Sequence, residues 1–451
     1  MSKSKFRLSA VSPIDGRYGE QTDVLSSYGS EFALIKRRLI VEVKYFEAIV
    51  PILPQLSPLR ESLKFSNFLR RLIKNFTLAE AEKIKLIEKT TRHDVKAVEY
   101  YLKEKFEKAG FGKYKEFVHI GLTSQDIDSV SRTVLFRDAI NDVFVPLLDG
   151  VLSDLMKLGE EWNSVVMLAR THGQAAIPTR IGKEINVFIQ RIEGEKVILK
   201  KLRLSAKFGG AVGNMNALYA AFPTVDWHDF ASKFVESFGL TRDFPTTQVE
   251  HYDSLASWLD SLKRICTIIT DCSLDAWLYI AFEYFKQKVK AGEVGSSTMP
   301  QKVNPIDFEN AEGNLEYATT ILEFLARKLP RSRMQRDLSG STVIRNLWVP
   351  IAHIVIALNS FKRGINKIFV NDLVVNQDLD SNWAVLAEPI QIILRREFYP
   401  EPYEALKVLT RTEKTKKLTK SDLHKFIRSL KVTKPVKEEL LAITPFNYVG
   451  K

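Results

Sequence analysis

The chain has 451 residues, 45% of them hydrophobic, which is too long for one hydrophobic core and too apolar for a disordered chain. Its formal charge is +12, but the densest basic stretches, Lys196–Lys207 and Arg411–Lys420, lie beside helical patterns and lack interleaved aromatic residues. This composition predicts two or three packed globular units, no nucleic-acid partner, and a small anionic substrate.

The chain shows no sign of membrane insertion, secretion or metal binding. No apolar run reaches the roughly 18–20 residues that a bilayer-spanning helix needs, and the strongest candidate, 347–358, contains Pro350 and His353. The first residues lack an apolar stretch followed by a cleavage site, which predicts a cytoplasmic protein. Cys266 and Cys272 lie on different sides of a predicted helix and cannot bridge, and no metal-ligand spacing occurs. We expect buried thiols and neither a metal nor another cofactor.

The pattern along the chain predicts an all-α fold, because apolar residues recur at three- and four-residue intervals and alternating β-branched runs are rare. Thr77–Glu80 has the form of a capping box that opens one helix, and Thr419–Asp422 has the same form near the C-terminus. Between them, two apolar stripes predict long bundle helices; their members are Ile181, Ile185, Phe188, Ile192, Leu199 and Leu202, and then Leu315, Ala318, Leu322 and Leu325.

The most informative segment is the loop Gly295–Pro305, GSSTMPQKVNP, which lies between helical patterns. It combines two adjacent hydroxyls, a cation two residues before an asparagine, and prolines that restrict its shape. Such a loop can hold an anionic substrate and present a hydroxyl to it. On residue chemistry alone, an ordinary surface loop explains it equally well.

This loop resembles the signature loop of the fumarase/aspartase superfamily, and further segments in the same order extend the resemblance from about Ser12 to Gly450. Within that superfamily they resemble the branch that acts on succinylated purine nucleotides. The segments are SPIDGRYG from Ser12, TTRHDVKAVEYYLKEK from Thr90, HIGLTSQDI from His119, RTHGQAAIPTRIGKE from Arg170, GAVGNMNA from Gly210, TTQVE from Thr246, GEVGSSTMPQKVNPIDFENAEGN from Gly292, and RSRMQRDLSGSTVIRN from Arg331.

The resemblance implies a three-domain helical fold with a long central bundle, divided at 1–112, 113–366 and 367–451. It also implies a homotetramer whose active sites combine residues from three subunits, so that a second apolar face of the long helices is buried by another chain. The implied reaction of purine biosynthesis is β-elimination of fumarate from adenylosuccinate, which gives AMP. The same elimination is expected on the succinylated carboxamide ribotide of that pathway.

This reaction needs a base, an acid and an anion cradle. The resemblance assigns the base to Ser296, with Ser297 as the neighbour to test beside it; a serine hydroxyl must first be deprotonated to act so. We assign the acid to His172, because imidazole titrates near neutral pH. The rival for the acid is His93, which we otherwise assign to substrate binding or to orienting the acid. Without the resemblance, a hydrogen-bonded core histidine is the simpler interpretation of His172.

The remaining site residues are predicted to bind substrate groups. Guanidinium forks suit phosphate and carboxylate, and short polar side chains suit the succinyl group. Without the resemblance, DGRY at Asp15 is merely a turn and the basic segment near Arg336 merely a salt-bridged helix surface. The predicted binding residues, besides His93, are Arg17, Tyr18, Asp94, Thr123, Ser124, Gln125, Gln248, Lys302, Asn304, Arg336, Ser341 and Arg345.

Some positions depart from the pattern expected in this branch: Asn is expected at Arg92, Glu at Gln125, Pro at Ala175 and His at Gln301. None of them removes a proposed catalytic group. Argininosuccinate-cleaving, fumarase and aspartase enzymes share the loop, but Thr123–Asp126 and Arg92–Ala97 differ from the segments expected there. A catalytically inactive helical scaffold is the alternative of a different class, and retention of Ser296 and His172 speaks against it.

Overall fold

A computed structural model of the chain describes residues 7–288, 299, 302–410 and 418–450. It is mostly helical, with 69% helix and 6% strand, which confirms the predicted all-α class. The α-helices in the described residues are α1 Gly19–Thr22, α2 Ser26–Gly29, α3 Glu31–Ile49, α4 Leu63–Lys74, α5 Leu78–Thr91, α6 Asp94–Lys108, α7 Ser124–Ala139, α8 Val145–Glu161, α9 Ile181–Lys201, α10 Asn216–Ala221, α11 Trp227–Glu236, α12 Asp253–Ala281, α13 Ile306–Lys328, α14 Ser339–Val343, α15 Trp348–Lys367, α16 Asp372–Asp380, α17 Ala387–Arg396, α18 Pro402–Thr410, α19 Lys420–Ser429 and α20 Lys434–Ala442.

Short elements connect these helices. Three small two-stranded sheets occur in the described part of the chain: β1 Val166–Thr171 with β2 Gln174–Arg180, β3 Ser205–Lys207 with β4 Thr241–Asp243, and β5 Phe285–Gln287 with β6 Ile368–Val370. The pairs β1/β2 and β5/β6 are antiparallel and β3/β4 is parallel. Five 3-10 segments, Asp23–Leu25, Pro54–Leu59, Gly112–Phe117, Ile344–Asn346 and Trp383–Leu386, and one π-helical segment, Ile140–Phe144, complete the elements.

The chain forms two compact units. The first contains Met1–Asp149, Gly194–Thr267 and Gly313–Asn359, and the second contains Gly150–Glu193, Ile268–Glu312 and Ser360–Lys451. The boundaries between them fall inside α8, α9, α12, α13 and α15. The division at 112 and 366 implied by the family resemblance stays a prediction.

The predicted apolar stripes lie in α9 and α13, except that Leu202 of the first stripe follows the end of α9 at Lys201. Leu315, Ala318, Leu322 and Leu325 are all fully buried, and Ile181, Ile192 and Leu199 are nearly so. This spacing works because three to four residues make one helical turn, so that each stripe covers a single face.

The two predicted capping boxes differ in outcome. Thr419 and Asp422 exchange hydrogen bonds between side chain and backbone, both at 3.2 Å, so that prediction is confirmed. Thr77 does precede α5, but the reciprocal bonds are absent. The reason is that the Glu80 carboxylate pairs with Lys105 at 2.7 Å and accepts a hydrogen bond from Tyr101 instead.

Both cysteines are buried free thiols, as predicted, and burial raises the pKa of Cys266 to about 12. Within the described part of the chain, Ser339–Lys367 is long and apolar enough to cross a bilayer by length and composition alone. However, 61% of its most apolar window is buried inside the protein, which is what a core helix shows.

Candidate active site

His172 lies at the tip of a β-hairpin that the sequence analysis did not predict. Strands β1 and β2 pair through Thr171 and Gln174, which leaves His172 and Gly173 as a two-residue turn. Their φ angles are 54° and 74°, and positive φ at both central residues is what a type I′ hairpin turn requires. A histidine in this left-handed region is uncommon, and such conformations concentrate at functional sites. The turn exposes the imidazole to a ligand.

The second unit also contains the end of the signature loop. Lys302 donates its backbone N–H to the carbonyl of Met299 at 3.1 Å, and the amide of Gln287 donates to the carbonyl of Val303 at 3.3 Å. Asn304 follows directly, before α13 begins at Ile306. Ser296 and Ser297, the predicted base and its neighbour, lie outside the described residues, as does Gln301.

In the first unit, His93 and Ser124 meet although 31 residues separate them in sequence. His93 caps α6, because its Nδ1 accepts a hydrogen bond from the backbone N–H of Lys96 at 3.2 Å. A neutral ring that accepts at Nδ1 carries its proton on Nε2. The Nε2–H group therefore donates to Ser124 Oγ, 3.2 Å away. His93 remains half exposed, so a ligand can reach it.

Asp94 forms ion pairs with two arginines, and both lie closer to its carboxylate than the ring of its neighbour His93 does. Its Oδ2 lies 2.9 Å from Arg38 and 3.4 Å from Arg345, whereas its Oδ1 lies 3.9 Å from His93 Nδ1. Arg38 is fully buried and also binds Asp128 at 2.5 Å. Burial disfavours the charged carboxyl of Asp94, but the Arg38 guanidinium and the hydrogen bond from the Val95 N–H together outweigh this effect and lower the pKa of Asp94. Asp94 thus stays anionic and holds Arg345 in place.

The Thr123–Gln125 segment opens α7 and is fixed by the buried carboxylate of Asp126. This carboxylate accepts hydrogen bonds from the Thr123 N–H at 2.8 Å and the Gly209 N–H at 2.7 Å, and it binds Lys207 Nζ at 2.6 Å. Lys207 and Asp126 are both completely inaccessible to solvent. The contacts place the glycine-rich segment that follows Lys207 against the start of α7.

Gln125 is buried, and its side-chain Oε1 has no hydrogen-bond partner among the described residues. A buried acceptor without a partner is uncommon, because it loses its bonds to water and gains nothing in return. A hydrogen-bond donor on a bound ligand would supply the partner that the Gln125 Oε1, next to Ser124, lacks in the described residues.

Gln248 hydrogen-bonds both the glycine-rich segment that follows Lys207 and the basic segment that contains Arg336. Its Nε2 donates to the carbonyl of Ala211 at 2.9 Å, and its Oε1 accepts from Arg336 at 2.9 Å. Arg345 lies in the 3-10 turn Ile344–Asn346 and Ser341 lies in α14, just before it. Hydrogen bonds and ion pairs therefore connect predicted residues from separate segments: His93 with Ser124, Asp94 with Arg345, and Gln248 with Arg336.

Arg17 and Tyr18 lie in the turn that precedes α1. The backbone N–H of Tyr18 donates to the carbonyl of Pro13 at 2.9 Å, and the Arg17 guanidinium lies 5.9 Å from the Tyr18 ring centre. No contact in the described residues joins Arg17 to Arg336 or Arg345. Their predicted common role in phosphate binding therefore stays a prediction.

His119 is a candidate site residue to which the sequence analysis assigned no role. It opens the turn that leads to Thr123, has a φ of 62°, and binds Glu42 through Nδ1 at 2.5 Å. Burial of the ring opposes its charged form, but Glu42 outweighs this effect and raises the pKa of His119. The sequence signal was its position at the head of the HIGLTSQDI segment; Glu42, 77 residues earlier, gave no signal.

Comparison with known proteins gives matches over nearly the whole chain. A family model described as Lyase matches residues 16–318, and one described as Adenylosuccinate lyase C-terminal matches residues 332–449. Adenylosuccinate lyase of Dictyostelium discoideum is 50% identical over 451 residues, which cover 98% of this chain and 97% of that protein. The enzymes of that name from Legionella pneumophila strain Corby and Escherichia coli K12 are 46% and 43% identical, with the same coverage.

Two solved structures are similar to this chain in fold, at sequence identities too low to show more than the fold. The 3-carboxy-cis,cis-muconate lactonizing enzyme of Pseudomonas putida superposes with a TM-score of 0.74 at 20% identity, covering 95% of this chain and 94% of that one. The β-carboxy-cis,cis-muconate cycloisomerase of Acinetobacter calcoaceticus gives a TM-score of 0.68 at 17% identity and covers 95% of each chain.

Proposed function

This chain belongs to the adenylosuccinate lyase family, and from that premise we propose that it binds adenylosuccinate and removes fumarate from it, which leaves AMP. The predicted class, a carbon–nitrogen lyase, is confirmed by the family models and the relatives. The succinylated carboxamide ribotide is the second substrate of the proposal, because it carries the same succinyl group on nitrogen.

The elimination breaks two bonds of the succinyl group. A base removes the proton from the carbon next to a carboxylate, the electron pair forms the double bond of fumarate, and the carbon–nitrogen bond breaks. An acid then protonates the departing nitrogen. We assign the acid to His172, because the hairpin turn presents its imidazole, and the base to Ser296. Lys302 and Asn304 stabilise the charge that develops on the carboxylate.

The first unit supplies the anion cradle in this proposal. Arg345, Arg336, Ser341, Arg17 and Tyr18 bind the phosphate, since guanidinium forks match its oxygens. Asp94 acts through Arg345, to which it is paired.

The succinyl and purine parts require donors and acceptors. Thr123 and Ser124 bind the succinyl carboxylates, and His93 orients Ser124. Gln248 orients the substrate, and Gln125 accepts a hydrogen bond from it. The observation that carries the proposal is that three pairs of predicted residues from separate sequence segments are in direct contact within one compact unit: His93 with Ser124, Asp94 with Arg345, and Gln248 with Arg336.

The proposal includes a homotetrameric assembly and a cytoplasmic location of the protein. In a homotetramer with sites shared between subunits, His172 and the residues of the first unit would come from different chains. Exposed apolar side chains on α12, such as Leu274, Trp277 and Leu278, support such a contact. The free buried thiols fit a cytoplasmic location, where cysteines stay reduced.

The test is to mix the purified protein with adenylosuccinate and follow purine absorbance and fumarate together. We expect AMP and fumarate in equal amounts, and a loss of about 100-fold or more in kcat for His172→Ala and for Ser296→Ala. Ser297→Ala is the matched control for the base. If the folded wild-type protein turns over argininosuccinate but not adenylosuccinate, the proposed substrate is wrong.

A further inference from the structure

An ion pair connects the tip of the hairpin that carries His172 to α16. Arg170, two residues before His172 at the end of β1, donates to Asp378 on α16, with Nη2 2.5 Å from Oδ2. The Arg170 guanidinium also lies over the Phe282 ring, 5.0 Å from its centre. The Arg170 and Asp378 side chains are 28% and 20% exposed, so the ion pair is partly screened by solvent.

Asp378 is itself held in position by other groups of the second unit. The Tyr284 hydroxyl donates to its Oδ2, and the Asn382 amide donates to its Oδ1 at 3.0 Å. Burial, together with this carboxylate, raises the pKa of Tyr284 and keeps the hydroxyl a donor. At the other end of α16, the Asn371 N–H donates to the carbonyl of Tyr284 at 2.8 Å. The helix and the segment before β5 therefore form a fixed support.

The hairpin needs this support because its pairing is irregular. Leu168 pairs with Pro178 and Arg170 with Ala175, so the register shifts between them. A β-bulge of this kind bends a strand and separates the regular part of the hairpin from its tip. Pro178 also lacks an N–H for the ladder. The Arg170–Asp378 contact lies on the tip side of the irregularity, next to the left-handed turn.

We propose that Asp378 is a positioning residue for the elimination, which acts through Arg170 to hold the His172 hairpin tip where it can protonate the leaving nitrogen. This inference rests on the proposed function. An acid displaced by about 1 Å can lose about 100-fold in rate although the substrate still binds. The consequence is a defect in kcat rather than in KM.

The test is a double-mutant cycle with Asp378→Asn, Arg170→Gln and the combined variant, measured as kcat and KM for adenylosuccinate with thermal melting alongside. We expect each single change to lower kcat about 10- to 100-fold with KM within about threefold, and the combined variant to be no slower than either. Asp380→Asn, which removes a charge from the same helix where Asp380 bonds only Trp383 in the described contacts, is the matched control and should keep kcat.

A second variant covers the case in which Asp378→Asn does not fold. Tyr284→Phe removes only the hydroxyl that donates to Asp378 and should lower kcat in the same direction, by a smaller factor. A raised KM with unchanged kcat would instead mean that Arg170 binds substrate directly. Additive losses in the combined variant, or equal effects of Asp378→Asn and Asp380→Asn, would also overturn the inference. Absence of turnover by the wild-type protein would refute the proposed function instead.

Discussion

Two adjacent residues at the start of α6 have different surroundings and therefore different tasks. His93 uses Nδ1 to cap the helix and so directs its Nε2–H to Ser124. Asp94 pairs with both the fully buried Arg38 and the more exposed Arg345. Adjacency in sequence thus does not make these two a catalytic pair. A substrate contact is open to His93, whereas Asp94 sets the position of a phosphate-binding arginine in our proposal.

The His119–Glu42 pair should make stability depend on pH. The pKa of His119 is raised above its ordinary value of 6.5, so the folded protein binds this proton more tightly than the unfolded chain does. The stabilisation is therefore fully present below about pH 6.5 and is lost as the pH rises through the raised pKa. We expect Glu42→Gln to lower the free energy of unfolding by about 1–3 kcal/mol at about pH 5.5, and by less at about pH 8.5.

Urea denaturation at both pH values and at fixed protein concentration measures this difference. Glu47→Gln on the same helix is the control, because Glu47 forms an exposed pair with Lys44 and should change stability by less than about 0.5 kcal/mol at either pH. A Glu42→Gln effect that is equal at both pH values would show that the pair contributes no pH-dependent stability.

Gln125 should matter for binding more than for folding. Its Oε1 is buried and has no hydrogen-bond partner in the described residues, so an apolar side chain of similar size costs the free enzyme little. We expect Gln125→Met to keep the melting temperature and to raise KM for adenylosuccinate about 10-fold. Gln21→Met is the matched control, since the Oε1 of Gln21 is also buried and has no hydrogen-bond partner among the residues that the structure describes. Equal KM values for the two variants would mean that Gln125 does not touch substrate.

At the scale of elements, the informative feature is a hairpin in a helical protein. The segment 166–180 contains Pro178 and ends its first strand at a His-Gly turn rather than an Asn-Gly one, so the usual hairpin signal is weak. The helices gave stronger signals, because fully buried Leu315, Leu322 and Leu325 repeat along one face of α13. Short strands whose role is to present one side chain need no long alternation of apolar and polar residues. The sequence pattern therefore does not predict them.

The positive φ of Gly173 predicts backbone strain when a side chain is introduced at this position. Gly173 has a φ of 74°, and an alanine there should cost about 1–2 kcal/mol. We expect Gly173→Ala to lower kcat as well, because the strain is relieved by moving the His172 tip. Gly110→Ala is a matched control, since Gly110 has a φ of 82° and, like Gly173, no atom near an added Cβ. Thermal melting should shift similarly in both variants, and only Gly173→Ala should lose turnover; a loss in both would point to global destabilisation.

At the scale of the whole molecule, the sequence was sufficient for class and family but not for the arrangement of the site. The family could be recognised because its segments are continuous in sequence, and the same segments contain the predicted site residues Thr123 and Gln248. The surroundings of these residues could not be predicted, because they depend on pairs far apart in the chain. Lys207 binding Asp126 and Glu42 binding His119 are examples, since buried ion pairs form between elements that only tertiary packing brings together.

The proposed assembly makes a prediction that a monomeric site cannot meet. If His172 and Ser296 of one active site come from different subunits, tetramers mixed from His172→Ala and Ser296→Ala chains contain some sites with both groups intact. With random exchange at equal amounts, half of the chains supply an intact histidine and half an intact serine. Activity should therefore recover to about a quarter of the wild-type value.

The measurement is turnover of adenylosuccinate after the two inactive variants are mixed, with subunit exchange verified by native mass spectrometry of chains that differ in mass. Each variant exchanged with itself should stay inactive, which excludes contamination. No recovery despite proven exchange would place both groups of a site in one chain. Recovery well above about a quarter would require non-random exchange, since random pairing of two independent defects fixes that ceiling.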